Sequence, residues 1–79
     1  MSEELVWDTF RLTSGIVWYR AYSARCRFEV YDYTGTRDQA GWRCQWSVVF
    51  NGTYRAVTGS ADTVREAQEQ ALAAVGVMA

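Results

Sequence analysis

The sequence predicts an α+β domain: an antiparallel sheet of three or four strands packed against one C-terminal helix. Residues 42–50 carry the clearest strand signal. Trp42, Cys44, Trp46, Val48 and Phe50 fall on one side, and Arg43, Gln45, Ser47 and Val49 on the other. That is the period of a strand with one buried face. Residues 63–75 instead place Val64, Ala67, Ala71, Ala74 and Val75 at helical spacing, and Met78 continues the stripe. Proline is absent from the whole chain, which is compatible with uninterrupted hydrogen-bonded ladders.

Taken in order, Met1 to Glu4 is a polar end expected to fray. Leu5 to Leu12 holds Leu5, Val6, Trp7, Phe10 and Leu12 and reads as a short edge strand or a packed arm. Thr13-Ser14-Gly15 reads as a turn. Ile16 to Tyr33 is the longest strand-like region. Its apolar face is expected to carry Trp18, Tyr22, Ala24, Cys26, Phe28 and Val30, with Arg20 as the exception. Its other face is expected to carry Val17, Tyr19, Ala21, Ser23, Arg25, Arg27, Glu29, Tyr31 and Tyr33. The run exceeds a usual strand, so a bend, bulge or break is expected near Ser23-Ala24.

Residues 34–41 form a polar connection, and 42–50 is expected to be the central strand. Asn51-Gly52-Thr53 matches the glycosylation pattern, but between strand-like runs Asn51-Gly52 reads better as a two-residue hairpin with both residues at positive φ. In 53–58, Tyr54 and Ala56 are expected to face the core, with Arg55 and Val57 opposite. Gly59-Ser60 reads as a strand-to-helix turn. Thr63 followed by Glu66 fits a capping box, Leu72 flanks the apolar stripe, and Gly76 is expected to stop the helix. Trp18, Phe28, Trp46, Val48, Val64, Ala71 and Val75 are expected to supply the core.

At 79 residues the chain makes one domain, 1–79, of β-β-β-α type with a short N-terminal arm or edge strand. A chain this short buries a limited core. Four tryptophans and five tyrosines exceed what such a core encloses, so a partner or a second copy is expected to cover some of them. The net charge of −1 excludes a broadly basic footprint but leaves room for a local basic stripe. No stretch reaches transmembrane length, and a reduced cytoplasmic setting is expected for Cys26 and Cys44.

Catalytic chemistry finds little support. Two cysteines without any histidine fall short of the usual zinc ligand set, so no metal and no cofactor is expected. Arg25, Arg27 and Arg43 alternate with Cys26 and Cys44 and point to the opposite face, away from the thiols. Glu29, Asp32 and Asp38 read as solvated charge, and no Walker, dinucleotide or serine-elbow pattern occurs. The chain is therefore read as non-enzymatic. Its candidate partner-binding residues are Tyr19, Arg27, Tyr31, Tyr33, Arg43 and Arg55, on the sheet face away from the helix. Arginines beside tyrosines suit a protein interface. The same set suits nucleic acid less well, because lysine is absent and Glu29 interrupts the face. A homodimer through that face is the structural alternative.

The segment from Trp42 through Val75 resembles the sheet and last helix of a double-stranded-RNA-binding domain. The likeness is carried by Gly59-Ser60 and the alanine-rich stretch from Arg65 to Ala74. It implies phosphate contacts at the start of the helix, where Arg65 is the basic residue and Asp62, Thr63 and Glu66 stand nearby. In size, slight acidity, lack of catalytic residues and strand–strand–strand–helix order, with Trp42–Phe50, Thr53–Thr58 and Thr63–Val75 as its compact part, the chain also resembles small phage or prophage accessory proteins of the anti-CRISPR inhibitor class. That likeness is one of class, without a motif. It implies a steric inhibitor in the host cytoplasm whose partner is a CRISPR effector complex.

Overall fold

The structure is a computed structural model and describes residues 5–12, 15–34, 43–52 and 56–78. Among the described residues five strands precede one helix: β1 (Asp8–Arg11), β2 (Val17–Tyr22), β3 (Cys26–Asp32), β4 (Cys44–Phe50), β5 (Ala56–Ala61) and α1 (Val64–Met78). The strands form one antiparallel sheet in the order β1-β2-β3-β4-β5. The α+β class and the C-terminal helix are as expected, but the sheet has five strands rather than three or four. The added strands come from the N-terminal segment, which forms β1, and from the Ile16–Tyr33 run, which breaks into two. β3 is the middle strand, and β4, expected there, lies beside it.

The break is a tight turn at Ser23–Cys26. The Ser23 amide donates to the Cys26 carbonyl at 2.9 Å. The Ser23 hydroxyl oxygen accepts from the Cys26 amide at 3.1 Å and from the Arg25 amide at 3.4 Å. A turn through Ala24 and Arg25 pairs residues whose numbers sum to an odd value, as in Ala21↔Phe28 and Tyr22↔Arg27. Odd residues of β2 therefore share a face with even residues of β3. Continuous alternation through 16–33 missed this reversal. Tyr19 and Ala21 lie on the helix side, while Trp18, Arg20 and Tyr22 lie on the other. Trp18, expected in the core, is thus outside it.

The core lies between the sheet and α1. Ala21, Cys26, Phe28, Val30, Cys44, Trp46, Val48, Ala67 and Ala71 are buried there. Leu5 and Trp7 pack against it from the N-terminal side, with the Trp7 and Phe28 rings 6.2 Å apart. Val64, Ala74 and Val75 complete the helix stripe, and Leu72 remains exposed. Ala67 and Ala71 carry no side chain beyond Cβ, which lets the helix axis approach the sheet closely.

The register of β4 against β5 also sums to an odd number, as in Val48↔Val57 and Trp46↔Gly59. Val57 therefore packs on the core and Ala56 is exposed, the reverse of the sequence expectation. Tyr54, Arg55, Trp42 and Asp38 lie outside the described residues. Gly52 takes positive φ but Asn51 does not, so the hairpin is not the two-residue type expected. Asn51 instead reaches the neighbouring turn: its amide donates to the Arg25 carbonyl at 2.8 Å, and its Nδ2 to the Ala24 carbonyl at 3.3 Å.

Thr63 caps α1. Its hydroxyl oxygen accepts from the Glu66 amide at 3.1 Å, satisfying one of the free N–H groups of the first turn. The helix runs through Gly76 to Met78, so Gly76 does not end it. Gly59-Ser60 is strand rather than turn. The reason for glycine is the Trp46 ring, which crosses directly over position 59. A Cβ there would sit 2.5 Å from Trp46 Cζ2. Trp46 cannot swing away, because its Nε1 donates to Gln70 Oε1 at 2.9 Å and its side chain is buried. Alanine for glycine in a strand ordinarily favours the fold through the unfolded chain. Gly59→Ala is instead expected to destabilise by about 1–3 kcal/mol, the usual cost of overpacking. Urea unfolding checks this, and an unchanged or raised midpoint would contradict the Trp46 packing.

Candidate functional site

The face of the sheet away from α1 gathers side chains from three strands. Even residues of β1 and β2 and odd residues of β3 point there. Cross-strand neighbours are Phe10↔Trp18, Asp8↔Arg20, Trp18↔Tyr31, Arg20↔Glu29 and Tyr22↔Arg27. An aromatic row runs across the strands. The Phe10 and Trp18 ring centroids are 5.1 Å apart, Trp18 and Tyr31 5.9 Å with nearly parallel planes, and Tyr31 and Tyr33 6.3 Å. These distances match favourable aromatic pairing. The rings bury one another, so Trp18, Tyr31 and Tyr33 are half-buried without any helix above them.

Arg20 lies within this layer. Its guanidinium carbon is 4.8 Å from the Phe10 ring centroid, 5.1 Å from Trp18 and 5.2 Å from Tyr22. All three are within cation–π range. Beside it, Glu29 is doubly engaged. Arg27 Nε lies 2.8 Å from Glu29 Oε1, and the Tyr31 hydroxyl donates to Glu29 Oε2 at 2.8 Å. The Glu29 side chain is only 12% exposed, so it is a held carboxylate and not the solvated charge expected. Trp18, Arg20, Tyr22, Arg27, Glu29 and Tyr31 line a shallow basin of about 250 Å³. Trp18 Nε1 and Arg20 Nε are covered and have no acceptor.

Of the residues expected here, Arg27 and Tyr31 line the basin, and Tyr33 extends its aromatic wall. Arg43 is exposed just before β4, where its carbonyl accepts from the Tyr33 amide at 2.8 Å. Tyr19 is not on this face; it packs against the core on the other side of the sheet. Arg55 lies outside the described residues. Sequence reading missed Trp18, Arg20 and Tyr22. Arg20 held the available signal, as the one charge in a supposedly apolar series.

The thiols lie elsewhere. Cys26 pairs with Phe50 and Cys44 with Asp32, at opposite ends of the β3–β4 ladder. At a strand rise of about 3.4 Å per residue the two are separated by roughly 20 Å, far beyond disulfide reach. Both are free and buried. Burial, reinforced by the Asp32 carboxylate, pushes the Cys44 thiol up to about 11. That is the opposite of nucleophile activation. Among the described residues no group of three His, Cys, Asp or Glu side chains is placed to hold a metal, and no helix is long and apolar enough to cross a membrane.

No family model, curated protein or solved structure matches this chain.

Two titrations report on this architecture. Burial, with the hydrogen bond and charge of Glu29, raises Tyr31 from 10.0 to about 12. The unfolded chain loses this proton near the ordinary value, while the folded chain keeps it longer. The stabilising difference is therefore complete below pH 10 and is lost as pH climbs through 12. Near-ultraviolet absorbance titration is expected to show a late phenol that disappears in Tyr31→Phe; an unchanged curve would deny the Glu29 contact. For Cys44 the corresponding loss runs from pH 9 to 11. A disulfide reagent at mildly alkaline pH is expected to label Cys44 only after unfolding, and fast labelling of the folded chain would contradict its burial.

Proposed function

We propose that the chain is a non-enzymatic binding module that engages another protein through the sheet face opposite α1. One observation carries this reading: the layer of Phe10, Trp18, Tyr31 and Tyr33 enclosing Arg20 sits on the face that no element of the described chain covers. Tryptophan, tyrosine and arginine packed together are the residue types that dominate binding energy at protein interfaces. Their rings are already fixed by mutual contact, so little side-chain entropy remains to be lost on docking.

Charge selects the kind of partner. Arg20, Arg27 and Arg43 belong to the outer register, against Asp8 and Glu29, whereas Asp62, Glu66 and Glu69 lie at or on α1 with Arg65. The partner patch this face fits is apolar at its centre and acidic around it. The likeness in size and strand–helix make-up to anti-CRISPR inhibitors names a subunit of a CRISPR effector complex as that partner. Steric blockade is then the mechanism, and the host cytoplasm the place.

The test is affinity capture from nuclease-treated host lysate, comparing the wild-type chain with a Tyr22→Ser, Arg43→Ser double variant and with Glu69→Ala on the helix. Tyr22 is 56% exposed and Arg43 lies in solvent, so neither change should disturb the fold. A stoichiometric protein is expected to survive nuclease, to bind the double variant about tenfold or more weakly, and to bind the helix variant normally. A partner lost only in the helix variant would overturn the assignment of the face. Recovery of nucleic acid alone, with affinity falling steeply in salt, would replace this reading with the nucleic-acid one. A mass that doubles with concentration would replace it with self-association.

A further inference from the structure

We infer that the basin beside Arg20 is a receptor for a single carboxylate, supplied by an aspartate or glutamate side chain of the partner protein. This rests on the proposed use of the outer face and specifies its chemistry. The basin has more donors than its own acceptor can serve. Glu29, its one carboxylate, already accepts from Arg27 Nε and from the Tyr31 hydroxyl. Arg20 stands across the strand from Glu29 on one side and Asp8 on the other, yet it makes an ion pair with neither. Its guanidinium lies against the Phe10, Trp18 and Tyr22 rings instead. Arg20 Nε and Trp18 Nε1 are both covered without an acceptor. Covered donors left unmade cost free energy, and a ligand that reaches them as the Tyr22 ring turns off the guanidinium recovers it.

The shape of the basin agrees with this. About 250 Å³ bounded by Trp18, Tyr22 and Tyr31 admits one acidic side chain with its methylene stem against the rings. Tyr22 is the wall mostly in solvent, and so the wall with room to turn aside as the ligand enters. Guanidinium planes pair with carboxylates through two parallel N–H groups, which fixes the orientation of the incoming group. A nucleic-acid backbone fits less well. It presents successive phosphates and needs a track of free cations. Here Arg27 is already paired with Glu29, and that carboxylate stands in the path.

The experiment uses the whole chain and defined probes. N-acetylglutamate methylamide, its neutral glutamine counterpart, inorganic phosphate and a short oligothymidylate are each titrated while nuclear magnetic resonance follows the Trp18 indole N–H and the Arg20 Nε–H. Saturable shifts of both signals are expected with the glutamate probe, and none with the glutamine probe. Arg20→Gln is expected to weaken binding about tenfold or more, the usual loss for a charge-assisted pair. Asp8→Asn, which removes a competing carboxylate from solvent beside Arg20, is expected to tighten it. Equal binding of the neutral probe, tighter binding of phosphate or the oligonucleotide, or no saturable shift with any probe would overturn the inference. Any of those results, alongside a captured protein that still depends on Tyr22 and Arg43, would leave the outer-face reading standing and remove only the carboxylate receptor. Loss of the captured protein with carboxylate binding intact would do the reverse.

Discussion

The Ser23–Cys26 turn decides which side of the sheet every β2 side chain occupies. It joins two strands through Ala24 and Arg25, so residues of opposite parity become neighbours. One residue more would turn Trp18, Arg20 and Tyr22 toward α1 and Tyr19 and Ala21 toward solvent. A guanidinium would then be turned to the core side of the sheet, where an unpaired charge is costly. The turn is held from two directions. The Ser23 hydroxyl oxygen collects amides from within it, and Asn51 binds its carbonyls from the β4 end. The clustering of Trp18 with Tyr31 and of Arg20 with its rings follows from this short connection.

The sheet has, in effect, two packed layers. The helix-side layer is thin, because α1 contributes Ala67 and Ala71 at its closest approach. The outer layer adds Phe10, Trp18, Tyr31 and Tyr33 with Arg20 among them. Aromatic pairs contribute about 0.5–1.5 kcal/mol each beyond area burial. Exposed cation–π contacts contribute about 0.5–1 kcal/mol. Against a total stability of about 5–15 kcal/mol for ordinary domains, such terms matter to a chain of 79 residues. An aromatic face of this kind can therefore be structural. Arg20 contributes to that layer through its ring contacts, but unlike leucine or methionine it also carries a covered Nε–H with no acceptor. On the proposed reading, the unserved donors, more than the rings, are what a partner would complete.

The parts legible in the sequence are those whose pattern depends on one element alone. The β4 alternation and the α1 stripe each carry their own period, and both have the faces expected of them. The facing of β2 and β5 depends on loops, and one residue of loop length inverts it. Ala24-Arg25 contains none of the glycine, proline or asparagine that usually announces a turn, so the length of the run located the break near Ser23-Ala24, but its reversal of faces left only the misplaced Arg20 as a trace. Gly59 misled for a related reason. Beside Ser60 it looked like a turn, but its cause is Trp46 on the neighbouring strand. Arg27, Tyr31 and Tyr33 were readable as outer-face residues because β3 keeps the parity of β4. Tyr19 was misplaced, and Trp18, Arg20 and Tyr22 were missed, because all four lie beyond the turn.

The absence of lysine sharpens the reading of the outer face. A lysine at position 20 would keep the charge and could still touch the rings, but its ammonium is compact and strongly hydrated. Arginine is planar and weakly hydrated, so it can lie flat against Phe10 and Trp18 and still offer its edge to a carboxylate. Glu29 shows that this face accommodates a carboxylate: Arg27 and Tyr31 hold one at 2.8 Å, largely out of solvent. That pair is complete within the chain. Arg20, one strand over and lining the same basin, repeats the donor side of the arrangement without the acceptor. The asymmetry between two arginines on one face is hard to derive from folding alone, because Asp8 lies across the ladder from Arg20 and is not used. It follows directly if the missing carboxylate comes from outside.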